Sequence, residues 1–132
     1  PMLAAEATVA GSINHTVVGR LLAERWEQSR AVANAAGQHH DPGDQDGLAM
    51  LVALADFFAG AVYPFPSEAI YPPVEIICDG VDGDEVLVAA AAAFLPANVL
   101  RRLGVNIAAL LQLGRVLAPE IRRLTEEWQQ LA

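Results

Sequence analysis

The chain has no lysine. All 8 of its basic residues are arginine, set against 16 acidic groups, and the formal net charge is −8. A surface that binds polyanions needs clustered positive charge, so this balance argues against nucleic acid as a partner. The arginine pairs at 101–102 and 122–123 are read as solvated complements to helix ends. Cysteine is almost as scarce. A single Cys78 cannot close an internal disulfide, which suits a reducing cytosol, and its place beside Ile76 and Ile77 reads as a packed thiol. Long apolar runs are also missing. The longest, "VLVAAAAAFL" at 86–95, is half of the roughly 20 residues that span a bilayer, so no membrane segment is expected. The first residues lack a basic stretch followed by an apolar one, so they do not read as a signal peptide. Together these features predict a cytoplasmic location.

What is present is apolar helix-forming sequence. Hydrophobic residues make up 54% of 132 positions, enough for a core, and the whole chain reads as one all-α domain with a proline-rich loop around 63–82. Over "NHTVVGRLLAERWEQ", Asn14 is a natural N-cap. Ile13 and Val18 are spaced for a hydrophobic staple, and Val18, Leu21, Leu22 and Trp26 form a stripe expected to be buried. Ser29 can cap a second helix running to about Gln38, whose small residues predict close helix–helix contact. "HHDPGDQDG" breaks that helix, and Asp44 or Asp46 can cap the next one. Residues 47–62 are apolar almost all round, which predicts a central buried helix carrying one charge, Asp56.

Beyond it, Pro64, Pro66, Pro72 and Pro73 forbid a regular helix, "VEIIC" reads as a short extended piece, and "DGVDGDE" reads as a solvated turn entering a helix at 84–94. A short helix from Pro96 to Gly104 follows. Asn106 then caps the last helix, which Pro119 kinks or divides.

Four residues carry candidate chemistry: His15 on the inner side of the first helix, His39 and His40 at the end of the second, and Asp56 inside the apolar helix. Imidazole and carboxylate are ligands for zinc, iron or manganese, and a metal held between helices can lower the pKa of a bound water. Each also has a plainer reading. An inward histidine is often a satisfied core residue, and Asp56 can pair with a histidine or a backbone donor. Neighbouring side chains on a helix point about 100° apart, so one member of "HH" is expected to cap the helix and not to face the same ion.

The segments "INHTVVGRLLAERW", "AVANAAGQHHDP" and "LAMLVALADFFAG", in that order, resemble consecutive helices of the HD superfamily, most closely its HDOD branch, and "FLPANVLRRLGVNIAALLQL" is similar to the closing part of an HDOD domain. The resemblance covers most of 12–128 and implies a compact HD-type helical bundle. In catalytic relatives such as the HD-GYP phosphodiesterases, it implies that the residues matching His15, His39 and His40 contribute to a metal centre and that the one matching Asp56 lies near it. Those enzymes also use an earlier histidine and an "HD" pair, and the residues before Asn14 contain neither histidine nor aspartate. The resemblance therefore implies a non-catalytic signalling or regulatory module that works through a protein partner or self-association. The alternatives are a metal-dependent phosphohydrolase completed by residues outside this chain, and a plain helical dimerisation domain.

Overall fold

The computed structural model describes residues 6, 8, 11, 13–62 and 83–131, with only the backbone at 60–62. The described residues are helical, with no strand among them, and the all-α expectation holds. The helices are α1 (His15–Arg25), α2 (Arg30–Gln38), α3 (Gly47–Val62), α4 (Gly83–Phe94), α5 (Val99–Leu103) and α6 (Ile107–Leu131). The proline-rich loop around 63–82, the "VEIIC" piece and the first four residues of "DGVDGDE" lie outside the described residues. The chain divides into two units, Pro1–Ala53 and Leu54–Ala132, with the boundary inside α3.

The helix starts follow from short polar side chains. Asn14 is extended and accepts hydrogen bonds from the backbone N–H groups of Thr16 and Val17, two of the four donors that the first turn of a helix leaves unpaired. Ser29 accepts from Val32, Asp46 from Ala49 at 3.0 Å, and Asn106 from Ala109 at 2.8 Å. Asn14→Ala is expected to cost about 1 kcal/mol, the usual worth of such a cap, as a lower urea midpoint at unchanged m-value.

α1 ends in a Schellman turn: Gln28 N–H bonds Ala23 O at 2.9 Å and Glu27 N–H bonds Glu24 O at 3.1 Å. That turn needs a left-handed residue, and Glu27 supplies it at φ 54° without being glycine. α5 ends the same way on Gly104, at φ 67°. Pro119 does not divide the last helix, which runs unbroken from 107 to 131. A proline there removes one backbone donor without stopping the turns on either side.

The first unit is a helical hairpin. α2 returns along α1 after the turn, so the start of α1 lies beside the end of α2. The contact is made by small residues. Thr16 and Ala23 are the buried positions of α1, Ala33 and Ala35 those of α2, and a Cβ on Gly19 would sit 3.5 Å from the Cβ of Ala36. On the other side a Cβ on Gly37 would come within 3.1 Å of the Arg20 side chain, so both glycines let the helices approach closely.

The stripe expected to be buried is therefore the outer one. Val18, Leu21, Leu22 and Trp26 are exposed, Trp26 by 67%, and Ile13 and Val18 are too exposed to form a covered staple. Small side chains won the helix contact because they bring the two backbones close, and the bulky apolar residues were left on the opposite face. α3 is also less enclosed than its composition predicts. Met50, Ala53, Leu54, Phe57 and Phe58 are buried, whereas Leu48, Leu51 and Ala55 form an exposed strip. In the second unit α4 lies against α6, with Leu87 and Leu110 fully buried and Arg115 paired to Asp84 at 2.6 Å.

Candidate metal centre

The hairpin brings the three histidines of the chain together. His15 is the first residue of α1, His39 is the residue after α2, and His40 follows it in a turn. One ring nitrogen from each lies within 4.8 Å of the others. His15 Nε2 is 3.1 Å from His39 Nε2 and 2.9 Å from His40 Nε2. His39 is buried, and His15 and His40 are half-buried, so the cluster is reachable from solvent. The ring centres of His39 and His40 are 4.3 Å apart. The 100° argument against both adjacent histidines facing one point fails because the helix stops at Gln38. His39 does cap the helix as expected, and it also turns its far nitrogen into the cluster.

The protonation of two of these rings follows from what they touch. His39 Nδ1 lies 3.2 Å from Ala35 O and 3.1 Å from Ala36 O. Carbonyl oxygens only accept, so this nitrogen carries the proton and satisfies carbonyls that the last turn of α2 leaves open. His15 Nδ1 lies 2.8 and 3.0 Å from the two carboxylate oxygens of Glu6. Glu6 also accepts the backbone N–H of His15 at 3.0 Å, a further unpaired donor of the first turn. These contacts hold the Glu6 carboxyl below its usual value, the backbone bond first and the ring bond second. Glu6 is therefore ionised at neutral pH, and His15 Nδ1 must donate to it.

In their neutral forms, then, His15 and His39 both turn a bare Nε2 lone pair into the cluster. In a neutral trio only the His40 ring can place a further proton between the rings, at its 2.9 Å contact with His15. A neutral trio leaves the 3.1 Å contact between His15 and His39 with no hydrogen to share. A proton on one of the two rings, or a metal ion between them, removes that repulsion. The spacing suits a metal: with metal–nitrogen bonds of about 2.0–2.1 Å, ligand nitrogens sit about 2.9 Å apart at right angles and about 3.4 Å apart at the tetrahedral angle. The outer contacts also match a metal site, in which each ligating histidine commits its other ring N–H to a carboxylate or backbone carbonyl. Three histidines thus lie close enough to bind a metal.

Asp56, the fourth residue anticipated, is half-buried on α3 in the second unit, whereas the three histidines gather within the first. Partial exposure leaves its charge hydrated, so it needs no partner to be tolerated.

Glu6 is the residue that sequence reasoning missed. Its signal was faint but present, since it is the one charged residue ahead of Arg20. Glu6→Gln keeps the shape and removes the charge, and it is expected to weaken divalent metal binding by about 10–100-fold in a calorimetric titration. Because the Glu6 carboxyl is depressed in the folded state, its stabilising contribution is complete above its usual value. The contribution is lost as pH falls through the depressed one, and the Gln variant should lack that acid limb.

No protein-family model matches the chain, and neither a curated protein nor a solved structure matches it. Among the described residues, no helix is long and apolar enough to cross a membrane.

Proposed function

We propose that this chain is a helical regulatory module, similar to an HDOD domain, that binds one divalent transition metal through His15, His39 and His40. The observation that carries the metal reading is the convergence of one ring nitrogen from each of the three histidines within 4.8 Å, with the outer nitrogens of His15 and His39 engaged by Glu6 and by the carbonyls of α2. All three donors are imidazole nitrogens. That set suits zinc or iron better than manganese, which prefers oxygen ligands.

The reading as a regulatory module and not a hydrolase rests on what surrounds the cluster. Bound metal would supply a Lewis acid and an acidified water. Phosphoester hydrolysis also needs positive groups that hold the phosphate. On α1 and α2, Arg20 is engaged by Glu24 at 2.9 Å, and Arg25 and Arg30 lie at the opposite end of the hairpin. The chain leaving His40 instead carries Asp41, Asp44 and Asp46, which attract a cation and repel a phosphate. Both carboxylate oxygens of Glu6 are committed to His15.

The test is a titration of metal-free protein with zinc and with ferrous iron, followed by melting and a phosphodiesterase assay of the loaded form. One equivalent should bind and raise the melting temperature. At a free metal concentration of 100 times the dissociation constant the added stability is about 2.7 kcal/mol, and a chelator should remove it. No binding, with melting indifferent to chelator, removes the metal reading. Metal-dependent turnover replaces the regulatory reading with the phosphohydrolase one, which the open coordination positions of a three-histidine site would accommodate.

A further inference from the structure

The four N–H groups at the start of α1 are satisfied in two different ways. Thr16 and Val17 donate to the Asn14 side chain and Val18 to the Asn14 carbonyl, so three of the four are held by the residue next to the helix. The fourth, on His15, donates to Oε2 of Glu6 at 3.0 Å, nine residues back along the chain. The same carboxylate takes the ring proton of His15 Nδ1 at 2.8 and 3.0 Å. Glu6 therefore holds one residue twice, by its backbone and by its ring. The contact is open to water, with the side chains of His15 and Glu6 exposed by 35% and 34%. So exposed a pair contributes little by itself, and it must keep a nine-residue loop closed against chain entropy.

The far side of the same ring is the metal-ligating one, with His15 Nε2 at 3.1 Å from His39 Nε2 and 2.9 Å from His40 Nε2. A metal that takes this lone pair draws electron density out of the ring, and Nδ1–H becomes a stronger donor. Hydrogen bonds from a positively charged donor to a carboxylate are about twice as strong as neutral ones. The metal also fixes the ring, so that the two groups Glu6 accepts from are presented in one geometry. His39 gives its outer N–H to Ala35 and Ala36 of its own helix, where a metal has nothing further to fasten. His15 gives its outer N–H to a residue ahead of the hairpin.

We infer that Glu6 and His15 form a metal-controlled tie, in which a metal on His15 Nε2 tightens the hold of Glu6 on the start of α1. Metal loading of the hairpin is thereby passed to the chain that leads into it. The inference rests on metal binding by the three histidines and adds how that binding is communicated. Its size follows from reciprocity: whatever factor the closed tie adds to metal affinity, the metal adds to closure of the tie. An outer partner of a ligating histidine is worth about 10–100-fold in affinity, so closure should tighten by the same amount.

The experiment is amide hydrogen exchange, followed by NMR on the full chain with and without saturating zinc, with calorimetry on the same samples to establish that zinc is bound. The His15 amide reports the tie directly, because its acceptor is Glu6. The Thr16 and Val17 amides are the controls, since Asn14 holds them whether or not Glu6 is in place. Zinc should slow exchange at His15 about 10–100-fold more than at Thr16 and Val17, and Glu6→Ala, at saturating zinc, should remove that excess. Bound zinc with no excess at His15 overturns the tie and leaves the metal site standing. So does an excess that persists in Glu6→Ala, or faster exchange at His15, the sign of a carboxylate that has left the ring to ligate the metal itself. Absence of zinc binding in the calorimeter removes the metal site and the tie with it.

Discussion

His39→Ala is expected to abolish stoichiometric metal binding. His39 is the most buried member of the cluster, and its ring is held on both sides: Nδ1 on the carbonyls of Ala35 and Ala36, and Nε2 at 3.1 Å from His15. Removing it takes away a ligand and leaves two half-buried imidazoles, His15 and His40, which are weak competitors against water and buffer. The loss should exceed the roughly 10–100-fold expected when only an outer partner such as Glu6 is altered. The variant also uncovers two carbonyls at the end of α2, so stability should fall by about 1–3 kcal/mol even without metal. His15→Ala and His40→Ala separate the two effects, because neither ring caps α2 in the way His39 does. Calorimetric titration with zinc, and visible absorption of the cobalt-loaded protein, give the affinities. All three variants should lose the cobalt band, and His39→Ala should show the largest stability loss in the metal-free form. Retention of wild-type affinity by His39→Ala would disprove the site.

The largest effect on the fold itself should come from Phe57→Ala. Phe57 is 2% exposed on α3, and its ring meets that of Phe58 edge-on at 5.4 Å between centres. Replacing such a ring by a methyl group costs about 3–5 kcal/mol, through lost transfer energy and the cavity left behind. Against a total stability of about 5–15 kcal/mol this is a large share, and it should appear as a marked drop in the urea midpoint. Leu51→Ala is the control. It removes a side chain of comparable apolarity from the exposed strip of the same helix and should change stability by less than about 0.5 kcal/mol. Equal losses in the two variants would mean that α3 does not bury the face described.

These expectations mark how far the sequence could be read. The helix boundaries were legible because their signals are local. Asn14, Ser29, Asp46 and Asn106 each pair with a backbone N–H three residues onward or nearer, and Gly104 takes the left-handed turn that few other residues accept. Such bonds form within one turn of chain and depend little on what packs around them. The candidate histidines were legible for a related reason: few residue types bind metals through nitrogen, and this chain has only three histidines.

By itself, then, the sequence determined an all-α chain, the places where its helices begin and end, and the residue types able to hold a metal. The tertiary structure decided which side of α1 is covered, because the contact of Gly19 with Ala36 outweighed a bulkier stripe that composition marked for the core. It decided that both His39 and His40 reach His15, because the hairpin turn at 26–29 sets the start of one helix beside the end of the next. It brought Glu6 onto His15 across nine residues. All of these depend on distances between side chains far apart along the chain, and helical periodicity says which residues share a face but not which face meets a neighbour.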